Sequence, residues 1–242
     1  MVRDIFECLL LNARPAAGKS EIISFLKKTG PAERVSKFHL GEIREIDDFP
    51  MLWTWFEEDD ILSSMGHERL HSTPDGYFRE KHLWNLLIRR IALEYEKNLV
   101  EHPDLHGDTT VLMEFSRGTE HGGYREAYGH LGKEVLSRAA ILYVDVSWEE
   151  SLRKNRKRKN PDKPYSILEH SLEDEKIETL YRDDDFRELS GNETSGFLDI
   201  GGTRVPYAVF ENEDDVTTGM GPALGSRLEG ALDRLWSLYR GN

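Results

Sequence analysis

Apolar residues gather in short runs separated by longer amphipathic stretches. Five runs have the length of a buried strand: residues 5–12, 38–46, 109–115, 141–146 and 205–211. Between them the apolar positions take helical spacing. In residues 19–29, Ile22, Ile23, Phe25 and Leu26 precede Lys27, Lys28 and a Gly30-Pro31 stop, which predicts a helix with cations in its last turn. Residues 79–99 place Leu83, Leu87 and Ile91 on one stripe, with Trp84, Ile88 and Tyr95 beside it. Residues 124–138 carry a weaker helical pattern, and Leu228, Leu232, Leu235 and Tyr239 repeat at helical spacing near the end. Strand alternating with helix predicts an α/β fold: a mainly parallel sheet covered on both faces, hence a three-layer sandwich.

Two segments break the alternation. Residues 47–78 hold acidic pairs, the aromatics Trp53, Trp55 and Phe56, and a Pro74-Asp75-Gly76 turn. Residues 147–196 are dense in charge of both signs. Both follow strands and are expected at the carboxyl edge of the sheet, where open α/β folds bind ligands.

Length and charge narrow the picture further. The chain of 242 residues, 1–242, reads as one larger domain. A formal charge of -13 argues against a general nucleic-acid binder, although the run at 153–159 is locally basic. Cys8, the single cysteine, lies in the first apolar run, so no disulfide forms within one chain and a cytoplasmic location is the default expectation. No stretch is long enough to span a bilayer. Asp4 and Glu7 offset Arg3 ahead of a short apolar run, which does not read as a signal peptide.

Between the first run and the first helix lies "ARPAAGKS", residues 13–20. Backbone N–H groups of such a turn surround a phosphate, and the helix that follows aims its positive end at the same place. Lys19 would reach the outer phosphates, Ser20 would bind Mg²⁺, and Gly18 lets the backbone approach closely. The segment resembles the Walker A motif of P-loop NTPases, with Ala13 in place of the first glycine. The resemblance implies ATP with Mg²⁺, contacted from Ala13 through Arg14, Pro15, Ala16, Ala17 and Gly18 to Lys19, Ser20 and Glu21.

Further segments resemble the nucleoside and nucleotide kinase branch. "TTVLMEFSRG" (109–118) is similar to the acidic-then-Arg segment of deoxynucleoside kinases, with different spacing. That likeness gives Glu114 to Mg²⁺ or its water and Arg117 to a substrate anion. "YVDVSWEESLRKNRKRKNP" (143–161) reads as a strand leading into a cation-rich helix, and kinases of this branch carry arginines in a mobile lid. Arg153, Arg156 and Arg158 are candidates, of which helical spacing lets one or two reach a common point. "VPYAVFENEDD" (205–215) is similar to the fifth strand and turn beside the adenine, with Asn212 there. "EIREIDDFPMLWTWF" (42–56) puts Arg44, Asp47 and Asp48 where related kinases hold the carboxylate that activates the acceptor. Trp53, Trp55 and Phe56 are either ring-stacking groups or plain core. "EFSRG", "RAAILYVDVSWEESLRKN" and "NPDKPYSILEH" are together similar to a group of uncharacterised bacterial P-loop proteins.

The resemblance therefore implies five strands in the order 2-3-1-4-5, an acceptor-side insertion at 47–78 and a lid at 147–196. It implies ATP-dependent phosphotransfer to a small hydroxyl- or phosphate-bearing acceptor. Lys19, Asp47, Asp48, Arg153 and Arg156 are the catalytic candidates, Arg44 and Arg117 the substrate contacts. Kinases of this branch are often homodimers. A nucleotide-binding regulator and a simple ATPase stay open as alternatives. Guanine is not favoured, because there is no N-K-x-D motif. His67 and His71 have a helical ligand spacing but no supporting metal motif.

Overall fold

The computed structural model describes residues 4–158 and 172–241. The chain runs β1 (Cys8–Ala13), α1 (Lys19–Lys28), α2 (Pro31–Phe38), β2 (Glu42–Asp47), α3 (Phe49–Ser64) and α4 (His82–Glu101). It continues through β3 (Thr109–Phe115), α5 (Gly123–Leu131), α6 (Lys133–Leu136), β4 (Ala139–Asp145) and α7 (Trp148–Arg158). After residue 171 follow α8 (Asp174–Tyr181), α9 (Phe186–Leu189), β5 (Ser195–Ile200), β6 (Thr203–Glu211), α10 (Val216–Gly219) and α11 (Pro222–Arg240).

Among the described residues the strands form one sheet in the order β2-β3-β1-β4-β6-β5. All neighbours are parallel except β5 and β6. The fold is the expected α/β sandwich, with two corrections. The sheet has six strands rather than five, and residues 205–211 belong to the sixth. An antiparallel edge strand, β5, enters before it through a hairpin whose turn residues Gly201 and Gly202 both take positive φ. The five parallel strands keep the expected left-to-right order.

Alternate residues of each buried strand feed two cores. Cys8, Leu10, Val111, Met113, Ile141 and Tyr143 face α4 and α5, meeting Ile88, Tyr95, Tyr124 and Tyr128. Leu9, Leu11, Leu112, Leu142, Val144 and Phe210 face α1 and α11, meeting Ile22, Leu26, Leu228 and Leu235. Residues buried on both faces explain why β1, β3 and β4 read as continuous apolar runs. The run at 38–46 is shorter in fact. Phe38 closes α2, and His39 turns the chain with φ 53° before the strand starts at Glu42. Gly132 likewise splits the helix expected over 124–138 into α5 and α6. No helix of the described residues is long and apolar enough to cross a membrane.

With β1 in the middle of the sheet, its carboxyl end opens between those of β3 and β4. The turn after β1, the ends of β2 and β3, and α7 therefore converge on one place.

Candidate functional site

The turn from β1 to α1 is shaped by side chains reaching in from distant parts of the chain. Three of its carbonyls are held from outside. Tyr124 Oη donates to the Ala13 carbonyl at 2.9 Å, Ser151 Oγ to Pro15 at 2.8 Å, and Asn212 Nδ2 to Ala17 at 2.8 Å. The Ala17 N–H closes back on Arg14 at 3.3 Å. Among the described residues, the N–H groups of Ala16, Gly18, Lys19 and Ser20 meet no protein acceptor. Carbonyls tied outward with amides left inward are the arrangement that binds an anion.

Backbone angles explain the residue choices. Ala13 is fully buried and is not among the residues with positive φ, so alanine meets no backbone penalty there. Ala16 does take the left-handed conformation, at φ 60°, which holds strain in the turn. Gly18 sits at φ 113°, and a Cβ there would lie 2.5 Å from Thr217 Oγ1 and 2.9 Å from Asn212 Nδ2. Only glycine fits.

Lys19, 7% exposed, donates to Ser116 Oγ at 2.7 Å and lies 3.7 Å from Glu114 Oε1. Burial lowers its pKa, and the Glu114 carboxylate works against that. Asp47 and Glu114 are register neighbours at the ends of β2 and β3. Burial raises the Asp47 carboxyl to about 8, helped by the negative charge of Glu114 and Asp48. Glu114 is raised too, by burial first, with Lys19 opposing. Asp48 forms a buried ion pair with Arg117 at 2.6 Å. The same guanidinium donates to the Trp84 carbonyl at 3.1 Å and lies 5.2 Å from the Trp84 ring and 5.6 Å from Phe115.

These groups line one cavity of about 140 Å³. Its phosphate-loop wall is Pro15, Ala16, Lys19 and Ser20. Asp47, Asp48, Glu114, Ser116 and Arg117 form the polar floor, and Phe49, Leu52, Trp84, Phe115, Leu172 and Tyr181 the apolar side. Asn155 and Arg158 complete it from α7. An apolar cavity of comparable size holds one benzene ring, so the enclosed part suits a single small ring or group.

The structure brings some of the expected residues here and sets others elsewhere. Lys19, Ser20, Asp47, Asp48, Glu114 and Arg117 meet in the cavity. Arg153 turns to Glu150 and Asp215, and Arg156 pairs with Asp174 in solvent; neither lines the cavity. Arg158 does, and pairs with Glu21 at 3.3 Å. Arg44 bonds Asn98 beside the edge strand β2, outside the cavity. Arg14 points away from the turn, to the Val146 carbonyl and to Asp184 at 2.9 Å. Asn212 is buried behind the turn, where it also donates to Thr217. Trp53 donates to Glu57, and Trp55 stacks on His71. "NPDKPYSILEH" falls largely in residues 159–171, outside the described residues.

Sequence reasoning missed Tyr124, Ser116, Ser151, Thr217 and Tyr181. Each is a common residue type in an ordinary helix or turn, and only long-range placement gives it a role. Ser116 had a local signal, lying directly between the strand end and Arg117.

No protein-family model matches the chain, and no curated protein matches it. Among solved structures, an unliganded sugar kinase from Janibacter sp. HTCC2649 is similar at TM-score 0.41 and 13% identity, over 96% of this chain and 98% of that one. The protein APE1195 is similar at TM-score 0.39 and 14% identity, over 95% and 98%. Likeness this distant carries no information about ligand or reaction.

Proposed function

We propose that the chain binds ATP with Mg²⁺ on the turn from Ala13 to Ser20 and transfers the terminal phosphoryl group to a small acceptor in the adjoining cavity. One observation carries the reading: inward amides and a buried lysine form one wall of a cavity whose floor holds a high-pKa carboxyl and a buried arginine–aspartate pair.

Each residue has a task there. The amides of Ala16, Gly18, Lys19 and Ser20 take phosphate oxygens, and the Lys19 ammonium spans the outer phosphates. Ser20 and Glu114 would hold the Mg²⁺, and the donor set fits, since a cation relieves the burial of two neighbouring carboxyls. Bound there, the ion would draw off charge developing on the phosphate oxygens. Asp47 takes the acceptor's hydroxyl proton; a base near pKa 8 is well matched to neutral pH. Asp48 is committed to Arg117 and holds that guanidinium for an acceptor anion. Arg158 replaces Arg153 and Arg156 as the lid arginine, because it alone of the three reaches the cavity.

The competing reading keeps the nucleotide site but omits transfer, so that occupancy is read by a partner. Its support is structural: Arg14 ties the turn to Arg182 and Asp184, and Lys176 of α8 donates to Asp75 at 2.8 Å. Ligand at the turn would then move α8 and the 47–78 segment together.

A nucleotide panel with and without Mg²⁺, read by thermal shift and then by phosphoryl transfer to an acceptor library, separates the two. Saturation at 100 times Kd stabilises by about 2.7 kcal/mol. That corresponds to roughly 5–10 °C for a chain of this length. Lys19→Ala should lose both shift and transfer. Stabilisation without transfer to any acceptor selects the regulator, and no stabilisation by any nucleotide refutes both.

A further inference from the structure

Helix α4 carries apolar residues on two sides, and this chain covers only one. Leu87, Ile88, Ile91 and Tyr95 are buried against the sheet and α5. On the opposite side, positions 82, 86, 89, 93, 96 and 100 are all exposed. They alternate at steps of four and three, the spacing of a coiled-coil seam. Leu86 and Leu93 are each 41% exposed and Val100 is 81% exposed. A surface helix that needed only to meet water would carry polar groups at those positions.

The charges between the apolar residues are also distinctive. Arg125, Arg138, Arg153, Arg156 and Arg182 each lie against a carboxylate. Among the described residues, Arg89 and Glu96, both exposed on the seam, have no ion-pair partner. They stand two helical turns apart on one line, too far to satisfy each other.

We infer that this face of α4 packs against the same face of a second copy of the chain, antiparallel, about a two-fold axis beside Leu93. In that register Arg89 of one copy is level with Glu96 of the other, and symmetry makes the pair twice. Leu93 meets its own counterpart on the axis, and Leu86 lies level with Val100 across the seam. A parallel pairing would set Arg89 against Arg89 and Glu96 against Glu96, so the charge pattern itself selects the antiparallel, isologous arrangement. From Leu86 to Val100 the seam is about 21 Å long. One helix face of that length covers roughly 200–300 Å² per copy, well under the ~800 Å² of a standard interface. The dimer is therefore weak and concentration-dependent, with Kd in the micromolar range or above. This inference does not depend on the phosphotransfer reading.

Sedimentation velocity on the full chain, over a concentration series reaching hundreds of micromolar, is the test. The native chain should pass from monomer to dimer. Leu93→Glu should stay monomeric throughout while keeping its circular dichroism and melting temperature. Arg89→Glu alone should raise Kd about tenfold, and the reversed pair Arg89→Glu with Glu96→Arg should return it to within about threefold of native. A native chain that stays monomeric at every concentration overturns the inference. So does a dimer indifferent to Leu93→Glu, or a double reversal as weak as the single one.

Discussion

Asp47 offers the sharpest test of the site, because its proton is predicted to sit on the carboxyl at neutral pH. Burial, Glu114 and Asp48 raise it from an ordinary value of 3.8 to about 8. Between those two values the folded chain holds a proton that the unfolded chain has released. Stability therefore falls as pH rises through that window, with a limiting slope of about 1.4 kcal/mol per pH unit. Asp47→Asn removes the titration while keeping the oxygen that accepts from the Phe49 N–H at 3.0 Å. Glu114 then loses a charged neighbour and moves toward its ordinary range, so no second carboxyl takes over the effect. The difference in stability between Asp47→Asn and the native chain should grow by about 2.8 kcal/mol from pH 5 to pH 7. For a chain of this length that is roughly 5–10 °C in relative melting temperature. Ligand-free thermal unfolding at matched ionic strength across pH 4–9 measures it directly. Parallel curves for the two proteins would show that Asp47 is ionised in the folded state, and its role as a proton acceptor near neutrality would go with it. If transfer is found, its pH–rate profile should rise to a plateau near the same pH, and Asp47→Asn should flatten it.

The remaining predictions concern the turn, the insertion and the lid. Gly18→Ala forces a Cβ against Thr217 and Asn212 at a positive φ and should destabilise by about 2–4 kcal/mol in chemical denaturation; a loss under 1 kcal/mol would mean the turn is not held as described. Asp59 is fully buried and accepts from the N–H groups of Leu70, His71 and Ser72 and from Ser72 Oγ. Burial pushes its pKa up, but those hydrogen bonds outweigh it and bring the pKa to about 2. Its contribution is thus fully present above its ordinary value and is lost only as pH falls through about 2. Asp59→Ala should lower stability by about 2–5 kcal/mol, equally at pH 5 and pH 8. In a transfer assay, Arg158→Ala should reduce kcat by tenfold or more (about 1.4 kcal/mol), while Arg156→Ala stays near native; the reverse ranking would return the role to Arg156.

What could be read from the chain alone follows the reach of the forces involved. The run that became β3 was legible residue for residue, because both its faces are buried and it is apolar throughout. The turn at 13–20 was legible because its chemistry is local: a glycine at Gly18, a lysine, a hydroxyl, then a helix. By contrast, β5 was not visible. Its "SGFLDI" is short, contains glycine and lies at a half-exposed edge, where the apolar signal fades. The lid arginines were recognisable as a group but not individually. Choosing Arg158 over Arg156 requires knowing that Glu21 and the cavity lie on one side of α7 and Asp174 on the other. Asp48 shows the same limit. Its neighbour Asp47 is equally acidic in sequence, yet Arg117, from 69 positions away, takes one and leaves the other.

The bond between Arg14 and Asp184 has a mechanical consequence. Asp185, the next residue, receives the amides of Tyr124 and Arg125 at 2.6 and 3.1 Å, at the start of α5. Two consecutive aspartates thus bolt the β1–α1 turn and the first winding of α5 to the same short piece of chain. Neither can loosen without tugging on the other, and by reciprocity whatever firms one must firm the other to the same degree. The amide protons of Tyr124 and Arg125, well away from the cavity, would accordingly exchange with solvent at a rate that tracks how tightly the turn is held.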